Sequence, residues 1–235
     1  MKSSEFDQYA GDYESALQQG LSVSGESAEY FARARMKWLA KRLLSMHFPL
    51  KESVAVDFGC GTGNSVEYLL SVLRCSHVVG LDTSEDSLEV ARGRYDARTV
   101  FMMPQYFSET SVDLVYCNGV FHHIPIAERG SAVGSIFRML RPGGCFAFWE
   151  NNPWNPGTRY VMSRIPFDRD AVTLSIPTAR ELLSNAGLKI ACTDSCFYLP
   201  RSLGWLRWME PLLCKLPLGA QYLILAFKPD EGTLL

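Results

Sequence analysis

Charge of one sign is scarce in this 235-residue chain: 23 basic against 25 acidic residues leave a net charge of −2. Nothing in that balance recruits nucleic acid or an anionic membrane by bulk electrostatics. Paired cysteines are lacking too. The seven, at positions 60, 75, 117, 145, 192, 196 and 214, stand singly, with no Cys-x-x-Cys and no zinc-like spacing. That pattern implies a reducing compartment and cysteines used as small apolar residues, so the expected location is cytoplasmic. No apolar run approaches the roughly 18 residues that span a bilayer, and MKSSEFDQYA has no secretory apolar region. Repeats and low-complexity linkers are absent as well. At 47% apolar and 20% charged residues, the chain has an ordinary globular composition. The expectation is a single domain over residues 1–235, with a helical cap over 1–50 and a core over 54–227.

What is present is an alternation of short apolar runs with helical periods. Tyr30, Phe31, Ala34, Trp38, Leu39 and Leu43 mark a helix over 27–47 with Ser27 as its cap. Strands are expected at Val54–Phe58, His77–Leu81, Thr99–Met102, Val112–Tyr116, Cys145–Trp149, Lys189–Tyr198 and Gln221–Phe227. Helices fall between them, over Asn64–Leu73, Ser84–Arg94 and Ile126–Leu140. A further helix opens on the capping box Thr178-Ala-Arg-Glu181 and closes at Gly187. Pro142-Gly143-Gly144 reads as the stop after the third of these helices. Such alternation means an α/β doubly wound parallel sheet. Two irregular stretches, 150–177 and 199–220, then lie beside the carboxyl ends of strands, where ligands bind.

The first strand runs directly into Gly59-Cys-Gly61-Thr-Gly63. Glycine there permits positive φ and lets the backbone approach a ligand. The register is G-x-G-x-G and not the dinucleotide G-x-G-x-x-G, and no Gly-Lys-Ser/Thr follows, which excludes a P-loop. Asp57, two residues before Gly59, would repel a pyrophosphate but suits a cationic ligand. Asp82 closes the second strand, where an acid accepts hydrogen bonds from ribose hydroxyls. Its plainer role is to cap the next helix, with Thr83 or Ser84.

Taken in order, VAVDFGCGTGN, VVGLDTS, SVDLVYCNGVFHHIP and MLRPGGCFAFWE resemble the motifs of class I S-adenosylmethionine-dependent methyltransferases over about residues 54–150. FDQYAGDY upstream resembles the lid segment of the small-molecule, ubiquinone/menaquinone-methyltransferase-like members. The resemblance implies a Rossmann-like, seven-stranded sheet with its last strand antiparallel, and S-adenosyl-L-methionine as cofactor. Asp57, Gly59, Gly61 and Gly63 would hold its methionine portion and Asp82 its ribose, with Thr83 and Asn118 completing the set. Members with an acid after the third strand use it on adenine. Here that place reads Phe101-Met102-Met103-Pro104, which leaves backbone and apolar contacts.

A hydroxyl acceptor needs a base with a pKa near neutrality, and His122 and His123 lie together past the fourth strand. Consecutive extended residues point opposite ways, so one of the two is expected to face the pocket, and the resemblance favours His122. Glu150 is a candidate partner or second base, or else a loop anchor with Asn151 and Asn152. No metal site is expected, because no suitably spaced Asp/Asn cluster follows the fourth strand. The expected partner is a small-molecule acceptor, such as a sugar or secondary metabolite, on a monomer or homodimer. Arg159, Tyr160, Arg164 and Arg169 could face an anionic acceptor or simply be solvated. Trp205, Trp208 and Met209 read as core or a dimer face. The competing functions are a cofactor-binding module that does not transfer methyl, and an NAD-type oxidoreductase, which Asp57 and the glycine register oppose.

Overall fold

A computed structural model describes residues 20–108, 111–168 and 171–230. The segment FDQYAGDY and Arg169 lie outside the described residues. Helix α1 (Ala28–Ser45) precedes β1 (Val54–Phe58), α2 (Val66–Ser71), β2 (His77–Leu81), α3 (Glu85–Arg92) and β3 (Thr99–Met102). Then come β4 (Val112–Asn118), α4 (Ile126–Met139), β5 (Leu140–Asn151), α5 (Pro156–Met162) and α6 (Ile176–Asn185). The chain continues with β6 (Lys189–Cys196), a 3-10 segment (Arg201–Met209), the short α7 (Glu210–Leu213) and β7 (Gln221–Phe227).

The seven strands form one sheet in the order β3-β2-β1-β4-β5-β7-β6. Pairings among β1 to β5 are parallel, and β7 runs antiparallel to both β5 and β6. This is the Rossmann-like arrangement expected from the motif order. Strand order reverses between β1 and β4, so the ligand crevice of such a sheet lies over their carboxyl ends.

Apolar residues on the two faces of the sheet build two cores. Met36, Leu39 and Leu43 of α1, with Val66 and Leu69 of α2, pack against Tyr116 and Trp149. Val133 and Ile136 of α4 and Leu183 of α6 pack against Phe146, Phe148 and Ile224. Ser27 caps α1 as expected, its hydroxyl accepting from Tyr30 N–H at 3.1 Å. The buried stripe of α1 is centred on Ala32, Met36, Leu39 and Leu43, while Phe31, Ala34 and Trp38 are only half-buried. Trp38 is held at the rim because its indole N–H donates to Asp194 at 3.0 Å.

Three expectations about elements need correcting. Strand β5 begins at Leu140, where Leu140 pairs with Val112, so Pro142-Gly143-Gly144 lies inside a strand past a register shift. Helix α6 is capped by Ser175, which accepts from Thr178 N–H, because Pro177 occupies its first turn. Thr178 is therefore inside the helix. Trp205 and Trp208 are 74% and 71% exposed, which removes the core alternative and leaves that of a dimer face.

Candidate active site

The crevice is built by strand ends whose last residues turn polar. Gly59 and Cys60 donate their N–H groups to Leu81 C=O at 2.7 and 3.0 Å, clamping the loop after β1 to the end of β2. Gly61 N–H donates to the Asp82 carboxylate at 2.7 Å, and the same carboxylate accepts Ser84 N–H at 2.9 Å. Ser84 is the N-cap of α3, and Thr83 beside it is exposed. Asp82 thus joins the glycine loop to the start of α3.

Gly59, Gly61 and Gly63 all have positive φ, at 75°, 51° and 85°. Their surroundings differ. A Cβ on Gly59 would fall 2.3 Å from Val120 Cγ2, and one on Gly63 2.9 Å from the Tyr95 ring. A Cβ on Gly61 would have no atom within 4 Å. Gly59 and Gly63 serve packing, whereas Gly61 borders open space.

Asp57 lies in β1 between Gly80 of β2 and Tyr116 of β4. Its carboxyl is buried, and Oδ2 has no hydrogen-bond partner. Desolvation first, then the Asp82 charge, push its pKa up to about 7, against the pull of Arg35. Arg35 reaches over from α1, where it donates to Gln221 at 3.1 Å and also acts on Tyr116. In the sequence, Arg35 stands out only as a charge inside an apolar helical stripe.

Asp57 Oδ2 is one of several buried polar atoms at this edge without partners. Tyr116 Oη, Asn118 Oδ1, Trp149 Nε1 and Arg35 Nε are the others on the α1 side. Buried polar groups are ordinarily satisfied, and their clustering at the switch point fits a polar, cationic ligand. The residues present therefore suit S-adenosylmethionine.

His122 and His123 behave otherwise than expected. Residues 121–123 form a turn, with His123 N–H bonded to Val120 C=O and Ile124 N–H to Phe121 C=O. The turn brings both imidazoles together, with ring centroids 4.1 Å apart, so they do not point opposite ways. His122 is buried. Its Nδ1 lies 2.7 Å from Glu150 Oε2, and its Nε2 3.4 Å from Asp168 Oδ1. Burial alone would lower its pKa, but Glu150 and Asp168 outweigh it and push it up to about 10. Glu150 and Asp168, one at each ring nitrogen, thus favour the charged form of this imidazole.

Glu150 is wholly buried and fully occupied, accepting Phe121 N–H at 2.8 Å and Asn151 N–H at 3.1 Å besides His122. It anchors a loop and does not offer a free base. Asp168, supplied by the 3-10 turn Pro166–Asp168, was not foreseen; it also lies 3.2 Å from His123 Nε2. Burial opposes its charge, yet His122 and His123 hold its carboxyl below the usual carboxylate range. Asn152 is buried and donates to Pro217 and Gly219 C=O at 3.0 and 2.8 Å, tying the two irregular stretches together. Arg159 and Arg164 are exposed, Arg164 lying over the Tyr160 ring.

Comparison with known proteins gives similarity over part of the chain. Residues 56–148 match the family described as Methyltransferase domain. A trans-aconitate 2-methyltransferase of Variovorax paradoxus is 29% identical over 78% of this chain and 80% of its own. One from Methylobacterium radiotolerans is 35% identical over 40% of this chain and 36% of its own. Alignments with four curated relatives, three trans-aconitate 2-methyltransferases and a sterol 24-C-methyltransferase, span only 36% to 56% of their length. The methyltransferase solved in complex with the Haloferax volcanii Trm112 activator shares the fold. Its TM-score is 0.66 at 21% identity, over 98% of this chain and 100% of that one. Among the described residues no helix is long and apolar enough to cross a membrane. Residues 56–148 are thus similar to methyltransferase domains, and the seven-stranded fold is one that the solved methyltransferase shares.

Proposed function

We propose that the chain transfers the methyl group of S-adenosylmethionine to an oxygen of a small-molecule acceptor. The observation that carries this reading is the buried, unpartnered Asp57 carboxylate beside a glycine loop that is open at Gly61. A charge in that position is costly unless a cation arrives to meet it. Asp57 and the open side of the loop at Gly61 would hold the cationic amino-acid end of the cofactor, with Gly59 and Gly63 packing the loop into place. Asp82, Thr83 and Asn118 would line its ribose side.

When bound, the cofactor supplies a methyl group already activated by its positive sulfur. The chain then has to align an acceptor and exclude water, and alignment can be equivalent to about 10⁵ M or more of reactant. His122, fixed by Glu150, positions the turn after β4. His123, whose side chain is 19% exposed, is the imidazole of the pair that can meet an acceptor. The acceptor is read as a small organic acid or alcohol, supported by the trans-aconitate 2-methyltransferases among the relatives and by a net charge of −2, which gives no bulk attraction for nucleic acid.

The test is calorimetric titration with S-adenosylmethionine, followed by methyl-labelled cofactor offered with a panel of small acids, alcohols and amines. We expect saturable cofactor binding and label on oxygen. Failure to bind the cofactor sinks the reading; label on carbon or nitrogen overturns the acceptor assignment.

A further inference from the structure

Beside the cofactor crevice, and unused by the binding residues above, three donor atoms converge. His122 Nε2 lies 3.4 Å and His123 Nε2 3.2 Å from the same oxygen, Asp168 Oδ1. All three donors fall within 4.8 Å of one another. An ion at about 2.1 Å from each ligand with tetrahedral angles would set its ligands about 3.4 Å apart. Both distances to Asp168 Oδ1 therefore already match a coordination shell, and the third donor pair lies within 4.8 Å. His122 Nε2 is buried and makes no well-aligned hydrogen bond within the protein. Its other nitrogen is engaged by Glu150, the arrangement in which a carboxylate orients a metal-binding imidazole from behind.

We propose that His122, His123 and Asp168 form a three-ligand site for a divalent transition-metal ion, with Glu150 as the orienting carboxylate. Two imidazoles and one carboxylate suit Zn²⁺, Co²⁺, Mn²⁺ or Fe²⁺ better than Mg²⁺ or Ca²⁺, which prefer all-oxygen shells. The ligands come from two segments fastened to each other: Val172 N–H donates to His122 C=O at 3.0 Å, and Arg129 donates to both Ile124 and Val172 carbonyls. Preorganisation of this kind is what a site needs before the ion arrives. Three protein ligands leave a coordination position open. Resting on the acceptor reading above, that position would take an acceptor oxygen.

The experiment needs neither cofactor nor acceptor. The full chain, stripped with a chelator, is titrated with Co²⁺ and followed by visible absorption, then with Zn²⁺ as competitor and Mg²⁺ as control. We expect one saturable Co²⁺ per chain with visible ligand-field bands, displaced by Zn²⁺ and not by Mg²⁺. Asp168→Asn and His123→Gln should abolish the bands, and Glu150→Gln should weaken binding by about 10- to 100-fold, as loss of an orienting partner does. His47→Gln and His77→Gln, at exposed histidines far from the cluster in sequence, should change nothing. His123→Cys should keep an ion and add an intense sulfur-to-cobalt band, which a misfolded variant cannot do. No saturable Co²⁺ binding up to millimolar concentration overturns the proposal, as does binding that survives Asp168→Asn. Either result leaves cofactor binding untouched, and loss of cofactor binding leaves the metal titration standing.

Discussion

Asp57 at the crevice and Asp194 in β6 are both buried carboxylates, treated in opposite ways. Asp194 accepts from Trp38 and Arg42 of α1 and from Lys215 at 2.7 Å, so its charge is fully met. Burial works against that charge, yet Lys215, Trp38 and Arg42 hold its carboxyl below the usual range. Asp57 has a bare oxygen and a pKa pushed the other way. One acid fastens the first helix to the far edge of the sheet; the other is left short of partners at the crevice over the carboxyl ends of the strands. Saturated buried charge holds the fold, and unsaturated buried charge marks the site.

The comparison is broken most severely at Asp194. Asp194→Ala strands Arg42 and Lys215 and should cost about 3 kcal/mol, the low end for breaking a buried pair because Arg42 is partly exposed. For a chain of this size that is a fall of roughly 6–12 °C in melting temperature. Cofactor affinity should fall less than about tenfold, since Asp194 only anchors the helix that carries Arg35. A larger loss would mean that the two acids are not separable.

Asp57→Asn should do the reverse. Removing the uncompensated charge should raise the stability of the ligand-free chain at pH 7 by about 1 kcal/mol, as substitutions at strained functional sites often do. S-adenosylmethionine affinity should fall about 100-fold, the size of a lost charge-assisted bond. Denaturant titration and calorimetry read the two effects on the same preparation. Loss of stability together with affinity would make Asp57 structural.

How much of this was legible in sequence follows from where the forces act. Strands β1, β2, β3 and β7 have the expected bounds because each is a short apolar run cut off by glycine, charge or proline. The start of β5 was hidden, since Pro142-Gly143-Gly144 is a local stop signal and the pairing of Leu140 with Val112 is not local. The glycine loop and the positions of Asp57 and Asp82 were readable from spacing. Their states were not: that Asp57 lacks a partner depends on Tyr116, Arg35 and Asp82, brought from three other elements. The adjacency of His122 and His123 is likewise visible, but the turn that brings their rings together rests on backbone bonds the local pattern does not show. Asp168 could not be found at all, because only the folded 150–177 stretch returns it to the histidines.

Within the glycine loop the comparison recurs on a smaller scale. Gly59→Ala meets Val120 at 2.3 Å on top of an unfavourable φ and should destabilise the chain by about 3 kcal/mol or more. Gly61→Ala meets nothing, so it should cost about 1 kcal/mol for its φ alone, yet weaken the cofactor by about tenfold by filling the open side. Equal losses of stability in the two variants would refute the division of the loop into a packing and a binding part.

The smallest effect is a proton. Between the ordinary carboxylate pKa of 3.8 and about 7, folded Asp57 retains a proton that the unfolded chain has released. The unfolded state therefore binds fewer protons in that window, and stability contributed by Asp57 falls as pH rises through it. The contribution is present in acid and lost near neutrality, opposite to that of Asp194, whose depressed pKa adds stability above the ordinary range. A cation placed against Asp57 drives the proton off. Titration of S-adenosylmethionine at pH 6.5 in buffers of differing ionisation enthalpy should accordingly show release of a fraction of one proton in the native chain. It should show less in Asp57→Asn. An unchanged release in that variant would assign the proton to another group and remove Asp57 from contact with the cofactor's charge.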